Sequence, residues 1–316
     1  MLGGVNHCIK HTDEKAQEKI MLDWQSISQQ VQATSGATLD TDSARAVGGG
    51  CINAAYALTG IQNGNQQTFF IKTNTADGLS MFEAEAEGLH TLIDSHSLRV
   101  PTPICSGIAG EAAYLVMEHI ALQGTGDDTQ LGSRLAVMHQ TRCQQFGWHR
   151  HNTIGSTPQL NHKSDNWVTF WAEQRLGAQL ELAGQNGAER SLLCRGEMLQ
   201  TALPAFFANY QPEPSLLHGD LWSGNAAFDA QGQPVIFDPA IYFGDRETDL
   251  AMTELFGGFS SAFYTAYNTV WPLDTGYGTR KTLYNLYHIL NHFNLFGGGY
   301  EAQARGMIDR LLSECC

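Results

Sequence analysis

LLHGDLWSGN, residues 216–225, is the segment from which the rest of this chain is best understood. An apolar run leads into it, and His218, Asp220 and Asn225 fit the spacing H-x-D-L-x-x-x-N. A second apolar run, VIF, ends at Asp238, 13 residues after Asn225. Gly, Asp, Asn and Pro are common where chains reverse, so either piece alone would indicate only a turn. Both pieces in this order indicate a catalytic segment.

The two pieces together predict an ATP-dependent phosphoryl-transfer site. The first matches the catalytic loop of kinases, and Asp238 stands where the metal-binding Asp of a D-F-G segment would follow. Such chemistry needs one carboxylate beside the attacking hydroxyl and oxygen ligands that hold Mg²⁺ against the phosphates. We therefore expect Asp220 to be the general base, and Asn225 and Asp238 to bind magnesium.

The composition limits the partners and the compartment. With 316 residues, 42% of them hydrophobic, the chain is long enough for two lobes. A formal charge of -14 argues against nucleic-acid binding and suits a neutral or cationic acceptor. No run approaches the ~20 apolar residues of a membrane helix, and the N-terminus lacks the apolar core of a signal peptide. Because seven Cys without a C-x-x-C pair also fit a reducing compartment, we expect a cytoplasmic enzyme.

The first 120 residues predict a nucleotide-binding lobe that starts at residue 21, after a peripheral extension of residues 1–20. Residues 21–34 have the apolar spacing of a helix that lies on a sheet. Residues 46–58 indicate a strand, a glycine turn and a returning strand. Backbone N–H groups in such a turn can bind phosphates. The expected nucleotide contacts from this turn are Gly48, Gly49, Gly50, Cys51 and Asn53.

A Lys–Glu pair and a hinge complete the predicted nucleotide site. The run TFFIK ends at Lys72, where a kinase carries the Lys that contacts nucleotide phosphates. Within the helix predicted over residues 81–93, Glu85 lies on the inward stripe and is expected to pair with Lys72. The apolar strand at residues 113–120 would lead into an interlobe hinge whose backbone binds adenine. The hinge residues are Met117, Glu118 and His119.

Residues 121–316 predict a larger, mainly helical lobe that holds the catalytic and substrate-binding groups. The histidines between residues 146 and 167 lack metal-site spacing and indicate a polar surface loop. Asp249 opens an apolar helix, from which it can brace the catalytic loop by accepting backbone N–H bonds. Only 11 residues separate Asp238 from Asp249, which leaves little room for a peptide-docking segment. A small acceptor with a hydroxyl group is therefore favoured.

From about residue 24 to residue 312 the chain resembles the fructosamine kinase family, within the wider group of aminoglycoside and choline kinases. The resemblance implies an α+β, protein-kinase-like fold with a small N-terminal antiparallel sheet lobe and a larger helical lobe. It also implies phosphorylation of a sugar hydroxyl in ketoamines with ATP and Mg²⁺, after which the unstable adduct releases its amine. The segments that carry it are GGGCINAAY, FFIK, FEAEAEGL, IGSTPQLN, LLHGDLWSGN and FDPAIYFGDRETDLAMTELFGGF.

The resemblance also suggests roles for residues near the base and in the glycine turn. His218 and Trp222 would contact the substrate, and a core position for Trp222 is the alternative. Cys51 suggests redox control through a disulfide, which would make the protein a monomer or a redox-linked homodimer. The alternative is a small residue that fills a tight turn.

Two other functions stay open. The first is another small-molecule kinase, for which the acidic charge would suit a polycationic aminoglycoside. The second is a kinase-fold binding protein without turnover. The presence of Lys72, Asp220, Asn225 and Asp238 disfavours the second.

Overall fold

The computed structural model describes residues 22–48 and 52–315. These residues divide into two compact units, the first formed by 22–86 and 103–119, the second by 87–102 and 120–315. The expected peripheral extension lies outside the described residues, as do Gly49, Gly50 and Cys51 of the glycine turn. The lobe boundaries expected from the sequence stay predictions.

The first unit is built on an antiparallel sheet. The strand order is β1-β3-β4-β6-β5, and β2 also pairs with β3. Helix α1 and the first half of helix α2 belong to the same unit as the sheet. The elements are α1 (Trp24–Ser35), β1 (Thr38–Leu39), β2 (Arg45–Val47), β3 (Ala54–Gln62), β4 (Asn65–Thr75), α2 (Leu79–Asp94), β5 (Pro103–Ala109) and β6 (Ala112–Glu118).

Local sequence explains several of these elements. Helix α1 begins where the side chain of Asp23 accepts a bond from the backbone N–H of Ser26, and it ends at Gly36, which has a φ of 72°. The tight turn between β3 and β4 uses Asn63 and Gly64, both with positive φ, as a two-residue hairpin loop prefers. The apolar stripe of α1 is buried through Ile27 and Val31, so the helix predicted here packs as expected.

The second unit is mainly helical with short strand pairs. A single helical run over residues 167–185 contains a π segment, Ala172–Gly177, between two α-helices. The elements are α3 (Asp128–His139), β7 (Asn152–Ile154), β8 (Thr157–Gln159), α4 (Trp167–Trp171), α5 (Ala178–Gln185), α6 (Arg190–Ala202), β9 (Ser215–Leu217), β10 (Ala226–Phe228), β11 (Pro234–Ile236), β12 (Tyr242–Gly244), α7 (Glu247–Leu255), α8 (Ser261–Val270), α9 (Tyr277–Phe296) and α10 (Tyr300–Glu314).

The segment expected to be a polar surface loop contains ordered structure. Strands β7 and β8 form an antiparallel hairpin, and Gln159 and Asn161 are buried. His151 is exposed, but its Nδ1 accepts a bond from the backbone N–H of Asn161 at the end of the hairpin. Because these polar side chains find partners on other elements, the prediction of a surface loop was wrong for residues 152–161.

Two strand pairs bring the predicted catalytic pieces together. Strand β9, which leads into the catalytic loop, pairs with β12, which follows the Asp238 segment. Strand β10, which leaves the catalytic loop, pairs with β11, which precedes Asp238. The two segments are therefore held side by side at both ends. Among the described residues, no helix has the length and apolar character needed to cross a membrane.

Candidate active site

The catalytic loop starts on a carboxylate that accepts its backbone N–H groups. Asp249, in the first turn of α7, accepts from the backbone N of His218 at 2.7 Å and of Gly219 at 2.8 Å. This is the bracing arrangement expected from the sequence. On its other side, Asp249 lies 3.1 Å from Nε2 of His139, and Nδ1 of that ring contacts the hydroxyl of Tyr267 at 2.8 Å. His139 is thus a buried core histidine that supports Asp249.

The negative charge of Asp249 is stabilised by hydrogen bonds from its neighbours. Burial alone would raise the pKa of this carboxyl, but the hydrogen bond from His139 and the backbone N–H of Gly219 lower it below its usual value. An ionised Asp249 is the form that accepts backbone donors, so the anchor of the loop is in its binding form at neutral pH.

Asp220 is half-buried at the centre of the loop and lies against Asn225. The amide Nδ2 of Asn225 donates to the carbonyl of Asp220 at 2.9 Å and to its carboxylate at 3.2 Å. Burial and the negative charge of Asp238 raise the pKa of Asp220 to about 7, against the lowering effect of the Asn225 bond. A carboxylate with this pKa is well suited to accept a proton near neutral pH.

The segment that contains Asp238 is hydrogen-bonded to the catalytic loop along its length. The N–H of Phe237 donates to the carbonyl of Asn225 at 3.0 Å, and the N–H of Ala240 donates to that of His218 at 2.8 Å. Asp238 itself is exposed and has a φ of 57°, in the left-handed region that a non-glycine residue seldom adopts. The neighbouring bonds hold it there.

The side chain of His218 is buried between the catalytic loop and the segment that contains Asp238. Its ring is fully buried, with Nε2 at 2.9 Å from the carbonyl of Phe237 and Nδ1 accepting from the N–H of Asp220 at 3.3 Å. Burial lowers the pKa of the imidazole, so the ring is neutral. This geometry argues against the substrate contact expected for His218 and assigns it to joining the two segments, because a buried ring has no surface to offer a ligand.

Trp222 lies at the surface beside the base. Its side chain is 37% exposed, which rules out the alternative of an ordinary core position. The ring is in edge contact with Phe256, with ring centroids 6.3 Å apart. Trp222, exposed and two residues from Asp220, and the half-buried Phe256 beside it offer an apolar face to a bound molecule.

In the first unit, the structure brings together the predicted Lys–Glu pair. Nζ of Lys72 lies 2.6 Å from Oε1 of Glu85, and both groups are largely buried. Strand β4 supplies the lysine and helix α2 the glutamate, as the inward stripe of that helix predicted. Glu83 points to solvent on the same helix.

The other predicted nucleotide contacts are placed only in part. Strands β2 and β3 pair on either side of the glycine turn, with Val47 opposite Ala55. Gly48 has open space around its Cα, and the side chain of Asn53 accepts from Asn74 at 2.7 Å. The predicted hinge lies at the end of β6: Met117 and Glu118 are its last two residues and His119 follows it. Met117 is buried, whereas Glu118 and His119 are partly exposed.

The predicted magnesium ligands form an incomplete site of the right chemistry. Because Asn225 uses its amide nitrogen toward Asp220, the acceptor atom of this side chain is its oxygen, and Asp238 adds a carboxylate. Among the described residues, no group of three or more His, Cys, Asp or Glu could hold a metal ion by itself. Magnesium commonly binds through one or two side-chain oxygens plus substrate phosphates, so the residues fit that metal.

Sequence reasoning missed a buried ionic cluster at the N-terminal end of α7. Asp245 accepts from the hydroxyls of Tyr210 and Tyr284, while Glu247 forms a two-bond pair with Arg280. Burial raises the pKa of Glu247 to about 7, although the bond from Arg280 lowers it. The only signal for this cluster was the FGDRE run, and the partners of Asp245 and Glu247 in the cluster lie 33 to 39 residues away along the chain.

The chain is similar to proteins that are named as kinases. A Synechocystis protein named a probable ketoamine kinase is 46% identical over 92% of this chain and 97% of its own. The chloroplastic protein-ribulosamine 3-kinase of Arabidopsis thaliana is 44% identical over 84% of this chain and 81% of its own. A solved Haemophilus somnus protein, assigned as a fructosamine-3-kinase, superposes with a TM-score of 0.81 at 28% identity, covering 92% and 97% of the two chains.

More distant structures share the fold alone. The choline kinase of Streptococcus pneumoniae superposes with a TM-score of 0.56 at 14% identity and covers 92% of this chain and 99% of its own. The fold is therefore α+β and protein-kinase-like, as expected. The model of the fructosamine kinase family matches residues 23–314, and this chain belongs to that family.

Proposed function

We propose that this protein phosphorylates a sugar hydroxyl of ketoamines, the adducts that reducing sugars form with amines, with ATP as donor and Mg²⁺ as cofactor. The observation that carries the proposal is the position of Asp220, half-buried against Asn225 and anchored through Asp249, in a member of the fructosamine kinase family. The names of the relatives, a ketoamine kinase and a ribulosamine 3-kinase, support the same acceptor class.

Asp220 is assigned as the general base. Its carboxylate accepts the proton of the sugar hydroxyl as the hydroxyl oxygen forms a bond to the γ-phosphorus. The bond between that phosphorus and the bridging oxygen breaks, and ADP leaves. The raised pKa of Asp220, about 7, brings its proton affinity close to what this transfer needs at neutral pH.

Asn225 and Asp238 are assigned to hold magnesium, which neutralises charge on the phosphate oxygens when it is bound. Lys72, oriented by Glu85, is assigned to the nucleotide phosphates. The glycine turn and the backbone of residues 117–119 are assigned to the rest of the nucleotide. Two observations support this part of the proposal: the distance between Lys72 and Glu85, and the pairing of strands β2 and β3 around the glycine turn.

The surroundings of the base favour a sugar over a polycation. Trp222 and Phe256 present aromatic faces, on which a sugar ring can pack. Helix α7 nearby is rich in carboxylates, but these are already paired: Glu247 with Arg280 and Glu254 with Lys281. An aminoglycoside would need carboxylates that are not neutralised by the protein, so the aminoglycoside alternative is disfavoured.

Turnover on a panel of acceptors tests the proposal. The panel holds fructose-lysine, ribulose-lysine, an aminoglycoside and choline, with ADP release corrected for hydrolysis without acceptor. We expect turnover on the two ketoamines alone. Turnover confined to the aminoglycoside or choline would contradict the proposal. Release of the amine, a cytoplasmic location and a dimer linked through Cys51 stay predictions.

A further inference from the structure

The β7–β8 hairpin donates two side-chain amides to the segment that follows Asp238. Nδ2 of Asn152 donates to the carbonyl of Ile241 at 2.9 Å. Nε2 of Gln159 donates to the carbonyl of Ala240 at 3.0 Å. These are consecutive carbonyls, two and three residues after Asp238. The IGSTPQLN segment, which no catalytic role explains, therefore meets the backbone of the proposed metal-binding segment.

Other side chains fix the direction of both amides. Oδ1 of Asn152 accepts from Gln159 at 2.9 Å and from Nδ2 of Asn161 at 2.8 Å. Oε1 of Gln159 accepts from the hydroxyl of Tyr287 at 2.8 Å. The oxygen of Asn161 accepts in turn from the guanidinium of Arg175 at 2.8 Å. Because each side-chain oxygen accepts from a donor, the amide nitrogens of Asn152 and Gln159 are turned toward the carbonyls of Ile241 and Ala240, and Gln159 also donates to Asn152.

The network is buried except at Asn152, which is half-buried, so most of its bonds contribute more to stability than surface bonds do. Gln159 and Asn161 are each 1% exposed, and Arg175 is fully buried. A buried carbonyl that loses its donor keeps the full cost of desolvation, roughly 1–3 kcal/mol. Removing either amide would leave the carbonyl of Ile241 or Ala240 without its donor. A shift of the backbone after Asp238 would then be favoured, because it could expose that carbonyl to water.

Asp238 needs this support because of its backbone. Its φ of 57° lies in a region that is costly for a residue with a Cβ, by about 1–2 kcal/mol. Such a conformation persists only where the surrounding structure enforces it. Ala240 is held from both sides, by His218 through its N–H and by Gln159 through its carbonyl.

We propose that Gln159 and Asn152 are positioning residues that hold the backbone after Asp238, so that its carboxylate stays in place for the metal. The inference rests on the proposed magnesium-dependent function and adds to it a role for the hairpin. Groups that orient a metal ligand typically change metal affinity by about 10–100-fold when they are removed.

Metal affinity without acceptor tests the role. Electron paramagnetic resonance titration gives the affinity of Mn²⁺ for the protein with ADP, and thermal unfolding gives stability. Gln159→Met removes both donors at near-constant size. Gln200→Met is the matched control, because Nε2 of Gln200 also donates to a partly buried backbone carbonyl, that of Ala172, at 2.8 Å. We expect Gln159→Met to weaken Mn²⁺ binding at least about tenfold, and Gln200→Met to retain wild-type binding.

A second variant tests the same role if Gln159→Met does not fold. Asn152→Asp keeps the acceptor oxygens for Gln159 and Asn161 but removes the donor to Ile241, and the same loss of Mn²⁺ affinity is expected. Wild-type Mn²⁺ affinity in the folded variants, or an equal loss in Gln200→Met, would overturn the positioning role. Since no acceptor is present, an error in the ketoamine assignment would appear only in the acceptor panel.

Discussion

The negative charge of Asp220 has opposite effects on catalysis and on stability. The loop needs its charge for proton transfer, yet burial and the charge of Asp238 penalise that charge and raise its pKa to about 7. A group held in an unfavourable charge state costs stability in the folded protein. Activity and stability should therefore respond in opposite directions when its charge is removed.

The pH dependence of stability exposes this conflict. The pKa of Asp220 rises from an ordinary 3.8 to about 7 on folding, so the folded state binds the proton more tightly. The stability that proton binding by Asp220 contributes to the folded state is fully present below about pH 4 and is lost as the pH rises through about 7. Without metal, we expect Asp220→Asn to melt at a higher temperature than wild type at pH 8, and the gain to shrink at pH 5.

Thermal unfolding of both proteins at the two pH values, with chelator present, measures the effect. Asp165→Asn, at an exposed carboxylate, is the control and should leave the melting temperature unchanged at either pH. A difference between Asp220→Asn and wild type that is the same at pH 5 and pH 8 would argue against the raised pKa.

The pair of Lys72 and Glu85 gives a second prediction at this scale. Glu85→Gln removes the charge that orients Nζ, which lies 2.6 Å from the carboxylate. We expect kcat/KM for ATP to fall about tenfold or more, which corresponds to about 1.4 kcal/mol. Steady-state kinetics with ATP varied is the measurement. Glu111→Gln, at an exposed position between β5 and β6, should behave as wild type, and wild-type kinetics in Glu85→Gln would remove the pair from its assigned role.

Among the elements, the contact between the catalytic loop and the Asp238 segment allows no side chain at Gly219. This residue has a φ of 83°, and a Cβ placed there would lie 2.1 Å from the carbonyl oxygen of Ala240. The close approach permits the bond between Ala240 and His218 and the bond from Gln159 on the other side. The glycine therefore sets the spacing of two elements as well as a turn.

Two glycine variants separate backbone strain from this close approach. Gly187 has nearly the same φ, 84°, but open space around its Cα. Gly187→Ala should cost about 1–2 kcal/mol of unfolding free energy from the left-handed backbone alone. Gly219→Ala adds the overlap and should cost about 2–5 kcal/mol. Chemical denaturation compares the two, and equal losses would mean that the segment yields to the added methyl group.

Elements that depend on local pattern could be predicted, whereas those that depend on distant partners could not. The stripe of α2 placed Glu85 beside Lys72, and the apolar helix after Asp249 placed that carboxylate under the loop. The hairpin at residues 152–161 looked like a surface loop, because its amides bond to carbonyls 89 and 81 residues away along the chain. Polar side chains reveal such partners only in three dimensions.

At the scale of the whole molecule, the proposed roles are divided between the units. The first carries Lys72 and Glu85, and the second carries Asp220 with Asn225, Asp238 and Asp249. The formal charge of -14 fits a small acceptor better than nucleic acid, but it does not select one acceptor, since the carboxylates of α7 are paired. Identity of the acceptor therefore rests on the family and on the aromatic surface at Trp222.

The most direct measurement is transfer of labelled γ-phosphate from ATP to fructose-lysine and ribulose-lysine, with the product identified by ³¹P NMR. The account predicts a sugar phosphate with wild type and with Asp165→Asn, and a rate about 10² or more lower with Asp220→Asn. Absence of a phosphorylated ketoamine with wild type, or its formation by Asp220→Asn at a near-wild-type rate, would contradict the central claim.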